Sequence, residues 1–140
     1  MVERRKGLAK LEKTGDGLLF AIVLPDTGTF IGDVDLQLTS AEHRQGEVGY
    51  ALHPDHHGRG YATEAAAAML RLAFEEVGLH RMSGTLDARN LASAGVLERL
   101  GMRREALLRE NEFIKGEWAD EVIYAILDRE WRAQNGGSAG

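Results

Sequence analysis

His53-Pro54-Asp55-His56-His57-Gly58-Arg59-Gly60-Tyr61-Ala62-Thr63-Glu64 is the stretch from which the rest of the chain can be laid out. An apolar run ends at Pro54, which has no amide to offer a strand ladder, and glycines at 58 and 60 permit a tight loop. A helical pattern begins directly behind them. The first-turn amides of such a helix have no intrahelical partner and lie at the positive end of its dipole, so the loop is a candidate cradle for a phosphate or pyrophosphate. On this motif alone, a glycine-containing connection without a ligand is the alternative. Two familiar phosphate loops are excluded: no Gly-Lys-Ser/Thr closes the segment, and Thr63 stands where a dinucleotide fingerprint needs its third glycine.

Upstream, residues 18–24 and 29–39 read as strands joined by Pro25-Asp26-Thr27-Gly28, a turn in which proline presets φ and glycine supplies a positive one. Residues 46–53 make a third strand, so an antiparallel meander, not a βαβ unit, precedes the loop. Downstream, Ala62, Ala66, Met69, Leu70, Ala73, Phe74 and Val77 recur at helical spacing up to Gly78. Residues 81–87 then read as a strand and 90–100 as a helix closed by Gly101. Residues 104–109 and 121–127 are strand-like, joined by a polar stretch with Gly116, and 128–131 close the ordered part. At the front, residues 2–14 are charged with Leu8 and Leu11 apolar, which predicts a short amphipathic helix. A single domain over residues 1–134 and a flexible tail over 135–140 are expected.

Composition narrows the function classes. The 140 residues are 44% hydrophobic and 28% charged, the mixture of a globular domain and not of a disordered or fibrous chain. A net charge of −5 argues against a broad basic face for duplex nucleic acid, so no nucleic-acid partner is expected. The absence of cysteine excludes disulfides, thiolate metal sites and a cysteine nucleophile. No apolar run approaches the roughly 20 residues of a membrane span, and no secretory h-region follows the charged start, so a cytoplasmic protein without a membrane partner is expected. His53, His56 and His57 raise the question of a metal, but no carboxylate at a familiar ligand spacing completes a site, and contacts to an anion explain them more simply; no metal is expected.

His57-Gly58-Arg59-Gly60-Tyr61-Ala62 resembles the Gln/Arg-x-x-Gly-x-Gly/Ala loop of the GCN5-related N-acetyltransferase (GNAT) superfamily, matching at Gly60 and Ala62 and departing at His57. The flanking Glu47-Val48-Gly49-Tyr50-Ala51-Leu52-His53-Pro54, the Asn90-x-x-Ser93-x-x-Val96-Leu97-Glu98-x-Leu100-Gly101 segment, and Asp120 and Tyr124 before Leu127-Asp128-Arg129-Glu130-Trp131 are similar to the branch of ribosomal-protein N-terminal acetyltransferases. The resemblance spans residues 18–131. It implies an α/β fold of the α+β kind, with a mixed, mostly antiparallel sheet flanked by helices, and a transfer of acetyl from acetyl-CoA to an amine by direct attack on the thioester. It implies that the pyrophosphate lies on the amides of Gly58, Arg59, Gly60, Tyr61, Ala62 and Thr63 beside His57. The pantetheine arm would pair like an added strand with Leu52 and His53 and be held by Asn90.

The same resemblance implies Glu47 as the group that deprotonates the amine and Ser93 as the hydroxyl facing the departing thiolate, since Leu97 occupies the place where many members carry a tyrosine. An ion-paired or solvent-facing Glu47 and a helix-capping Ser93 are the alternatives. The acceptor could be a protein N-terminus, an amino acid or a small-molecule amine. A non-catalytic acyl-CoA-binding or sensor domain is the competing class, which the presence of Glu47, Asn90 and Ser93 argues against. The superfamily's first strand and helix have no counterpart in the seventeen residues before Leu18, which would leave a sheet edge open and invite a homodimer.

Overall fold

The computed structural model describes the backbone of residues 2–4 and residues 11–135 in full. Seven strands form one sheet in the order β1-β2-β3-β4-β5-β7-β6. β1 (Val2–Arg4), β2 (Gly17–Val23), β3 (Phe30–Ser40) and β4 (Gln45–Leu52) make an antiparallel meander, as the turn residues and alternation predict. α1 (Tyr61–Arg71) then crosses over, and β5 (Arg81–Asp87) runs parallel to β4. α2 (Leu91–Arg99) leads to the hairpin of β6 (Arg103–Ile114) and β7 (Glu117–Leu127), with β7 inserted between β5 and β6, and α3 (Asp128–Gln134) follows.

The strand alternation decides which face carries the core. Along Asp33-Val34-Asp35-Leu36-Gln37-Leu38 every second residue is apolar, and Val34, Leu36 and Leu38 are buried together with Val48, Met82 and Ile126 from neighbouring strands. The small side chains of Ala65, Ala66 and Ala73 let the first helical segment lie close to this layer. Phe74 and Trp131 meet with ring centroids 5.4 Å apart. The odd-numbered partners, Asp33, Asp35 and Glu47, point to the opposite face, which is only partly buried.

Three expectations are corrected. No helix occupies residues 2–4: Val2, Glu3 and Arg4 pair with Ile22, Ala21 and Phe20, so the β2 edge expected to lie open is partly covered. Leu8 of that expected helix lies outside the described residues, as does the expected tail apart from Asn135. The periodic run to Val77 is not one uniform α-helix, because α1 passes at Leu72–Val77 into a wider π-helical turn that ends at Gly78 in the left-handed region. The polar stretch between 109 and 121 is strand, not loop: β6 and β7 continue to a tight turn at Lys115-Gly116, where φ is +50° and +83°, both positive as a type I′ hairpin turn requires.

Candidate functional site

The β4–β5 ladder is short. It pairs Gln45, Gly46 and Glu47 with Arg81, Met82 and Ser83 and stops there, so residues 48–52 of β4 and 84–87 of β5 separate. β4 keeps its pairing with β3 along its whole length, through Leu52↔Gly32. Its other edge beyond Glu47 therefore presents backbone N–H and C=O groups to an opening in the sheet. A cavity of about 800 Å³ lies along this opening, walled by the end of β4, the loop 57–60, the first turn of α1 and the start of α2.

The loop brings most of the predicted anion-binding residues to that cavity. Leu52, His57, Gly58, Gly60, Tyr61, Ala62 and Thr63 line it, and so do Asn90 and Ser93. Gly60 is the N-cap of α1 with φ +81°, a conformation that favours glycine, and nothing lies within 4 Å of where its Cβ would be. No side chain caps the helix, and the first intrahelical bond runs from the Glu64 N–H to the Gly60 carbonyl. The amides of Tyr61, Ala62 and Thr63 precede it and remain free of the helix ladder. His57 contacts the Leu52 carbonyl through Nε2 at 2.9 Å, tying the loop to the end of β4. His53 and Arg59 do not line the cavity: His53 turns to Asp55, with Nδ1 3.6 Å from its carboxylate, and Arg59 is exposed. Among the described residues no group of three or more His, Cys, Asp or Glu side chains is placed to hold a metal.

Across the cavity, Asn90 is the N-cap of α2, its Oδ1 accepting the Ser93 N–H at 3.0 Å. Capping is therefore done by Asn90 and not by Ser93, and the Asn90 side-chain NH₂ keeps its donors for another partner. The Tyr50 hydroxyl donates to the Ser93 carbonyl at 3.4 Å, bridging β4 to α2, and burial pushes its pKa above the usual phenol value.

Glu47 belongs to the other side of the sheet. It is not part of the wall that holds Ser93 and the loop, and the sheet opening at the end of the ladder separates the two groups. Its Oε2 accepts the Thr85 hydroxyl at 2.7 Å, and no arginine or lysine pairs with it among the described residues. Its neighbour Asp35 sits opposite Gly49, where a Cβ would come within 2.5 Å of the carboxylate. Burial raises the Asp35 pKa above 3.8, the charge of Glu47 adds to the rise, and the Gly49 N–H opposes it. Asp87, farther along β5, differs: the Arg89 guanidinium draws its pKa down to about 2. Asp35, Thr85 and Tyr50 were not singled out from the sequence, although the alternation of β3 against β4 places Asp35 on the Glu47 face.

Residues 1–103 match the family model described as an acetyltransferase (GNAT) domain. The chain belongs to the GNAT acetyltransferase family. It is 35% identical over 129 residues to the N-acetyltransferase YnaD of Bacillus subtilis, covering 92% of this GNAT chain and 75% of the relative. It is 25% identical over 123 residues to a ribosomal-protein-alanine N-acetyltransferase of Escherichia coli, covering 87% and 63%. A solved ribosomal-protein-S5-alanine acetyltransferase from Vibrio fischeri superimposes with a TM-score of 0.76 at 28% identity, over 82% of this chain and 63% of that one. This GNAT protein is thus an acyltransferase acting on amines, and acetyl-CoA is the family's cosubstrate. The residues present fit that cosubstrate: free first-turn amides and an open glycine loop suit a pyrophosphate, and the unpaired β4 edge suits an amide-bearing arm.

Proposed function

We propose that acetyl-CoA lies on the helix side of the sheet, that the amine arrives from the Glu47 side, and that the two meet where β4 and β5 part. The observation that carries this reading is the end of the β4–β5 ladder at Glu47↔Ser83, with the cavity on one side and the Thr85-held carboxylate on the other. The pyrophosphate rests on the amides from Gly58 to Thr63, and the pantetheine arm pairs with β4 near Leu52 while Asn90 donates to it. Glu47, held by Thr85, takes the proton from the ammonium, directly or through water. The neutral amine attacks the thioester carbonyl, the C–S bond breaks as the amide forms, and the nitrogen's second proton passes through the Ser93 hydroxyl to the departing thiolate, leaving Ser93 neutral. The side chains of His53 and Arg59 lie outside the cavity wall and have no part in this reading; Arg59 enters it through its backbone amide alone.

The acceptor is a primary amine: a protein N-terminus, an amino acid or a small molecule. A cytoplasmic setting goes with this reading, because acetyl-CoA is an intracellular metabolite. Two copies pair through β6, the last strand of the sheet, whose outer edge carries exposed Leu107 and Leu108. A thiol-release assay across amines and N-terminal peptides tests the activity. Acetyl-CoA-dependent release with at least one amine is expected, and none with any acceptor despite CoA binding returns the sensor reading. A monodisperse monomer by light scattering at high concentration removes the pairing.

A further inference from the structure

We infer that Arg99 forms a separate phosphate subsite that reads the 3′-phosphate of coenzyme A, a group one ribose away from the pyrophosphate; this rests on the acetyl-CoA reading above. Arg99 lies in the last turn of α2 and lines the same cavity as the loop amides. It also lines a second hollow of about 490 Å³ between α1, α2 and α3, so it stands where the two spaces adjoin. Among the described residues no carboxylate takes up its charge. Arg71, Arg81, Arg89 and Arg103 pair with carboxylates, and Arg44 and Arg132 donate to backbone carbonyls. No such partner is found for Arg99 among the described residues.

Gly95 makes room for the guanidinium on the surface of α2, one turn back from the Arg99 backbone. Glycine inside a helix is unfavourable relative to alanine. One turn before Arg99 it removes the side chain that would cover the helix surface, and the Arg99 guanidinium lies over the bare backbone there, Nη2 3.6 Å from where a Cβ would stand. The charge is therefore carried back along α2 from its carbonyl end, in a residue that lines the cavity, and is not used as a C-terminal cap. Glu64 shares this wall, so an anion must approach from the Arg99 side of it. A guanidinium matches a phosphate dianion in charge and in its parallel donors.

The test is titration calorimetry with CoA and 3′-dephospho-CoA, which differ only in that phosphate, on the wild type and on Arg99→Gln, Arg99→Lys and Arg59→Gln. The wild type is expected to bind CoA about tenfold more tightly than dephospho-CoA, the scale of a hydrogen bond to a charged group. Arg99→Gln should bring CoA down to the dephospho-CoA level while leaving dephospho-CoA affinity unchanged, which also shows that the variant is folded, and Arg99→Lys should keep part of the preference. Arg59→Gln should keep the preference whole. Equal affinity of the two ligands for the wild type, or a preference that survives in Arg99→Gln or disappears in Arg59→Gln, overturns the inference while leaving the acetyl-CoA reading intact. Failure of the wild type to bind either ligand overturns both.

Discussion

The helix-covered face and the polar face of the sheet are built from the same strands, one residue out of step. On the covered face, Val34, Leu36, Val48 and Met82 are buried, and a change there is felt as lost packing. On the polar face, Asp35 and Glu47 sit between the same backbone bonds with Thr85 and Gly49 as partners, and a change there is felt as altered charge. The faces come together where β4 and β5 stop pairing. The comparison teaches how the proposed reading can work without a common pocket: a ladder that stops after three pairs leaves a gap through which one substrate could approach from each side.

The largest effect expected is on the covered side. Gly60→Glu forces a left-handed backbone on a residue with a Cβ, costing about 1–2 kcal/mol, and sets a negative charge where the pyrophosphate belongs. Acetyl-CoA should then no longer raise the melting temperature, and transfer should be lost. An unchanged thermal shift in this variant would take the loop out of the site.

Next comes the polar side. Glu47→Gln keeps the shape and the bond from Thr85, leaves acetyl-CoA affinity intact and lowers kcat by roughly 10² to 10⁴. The deficit should shrink at high pH, where the amine loses its proton unaided. Ser93→Ala, back on the covered side, should slow transfer by about 10², with no such relief, because a neutral amine does not help the leaving thiolate. Parallel pH–rate profiles for the two variants would merge the roles that the sheet keeps apart.

How far the sequence could be read differs between the same two faces. The loop and α1 were legible because glycine, proline and helical spacing act locally, and Gly60 does what its position demands. Asn90 was legible as a polar residue at a helix start, though only the structure shows that it and not Ser93 makes the cap. The polar face was less legible, since the nearness of Asp35 and Thr85 to Glu47 depends on register between strands that are distant in the chain. The length of β6 and β7 was hidden for a related reason: most of residues 109–121 are charged or polar, the composition of a loop, and the cross-strand contact of Phe113 with Trp118 shows only once the strands are paired. Nothing local in residues 2–4 announces a strand, because pairing with β2 is what makes it one.

The smallest effect sharpens the contrast most directly. Asp35 is held by the Gly49 N–H, yet burial first and the Glu47 charge second raise its pKa above 3.8 in the folded protein. The folded state therefore binds this proton more tightly than the unfolded chain does. Stability falls as pH rises from 3.8 through the folded value, and the loss persists above it. Asp35→Asn keeps an oxygen for Gly49 and removes the charge, so the variant should be more stable at pH 7. The half-exposed setting screens the gain to under about 1 kcal/mol. Below pH 3.8 the difference should vanish, since both side chains are then neutral. Melting temperatures of the two proteins across pH 3 to 8 check this, and a variant less stable at pH 7, or an advantage that does not depend on pH, would show that the carboxylate at 35 is stabilised by its surroundings and not strained by them.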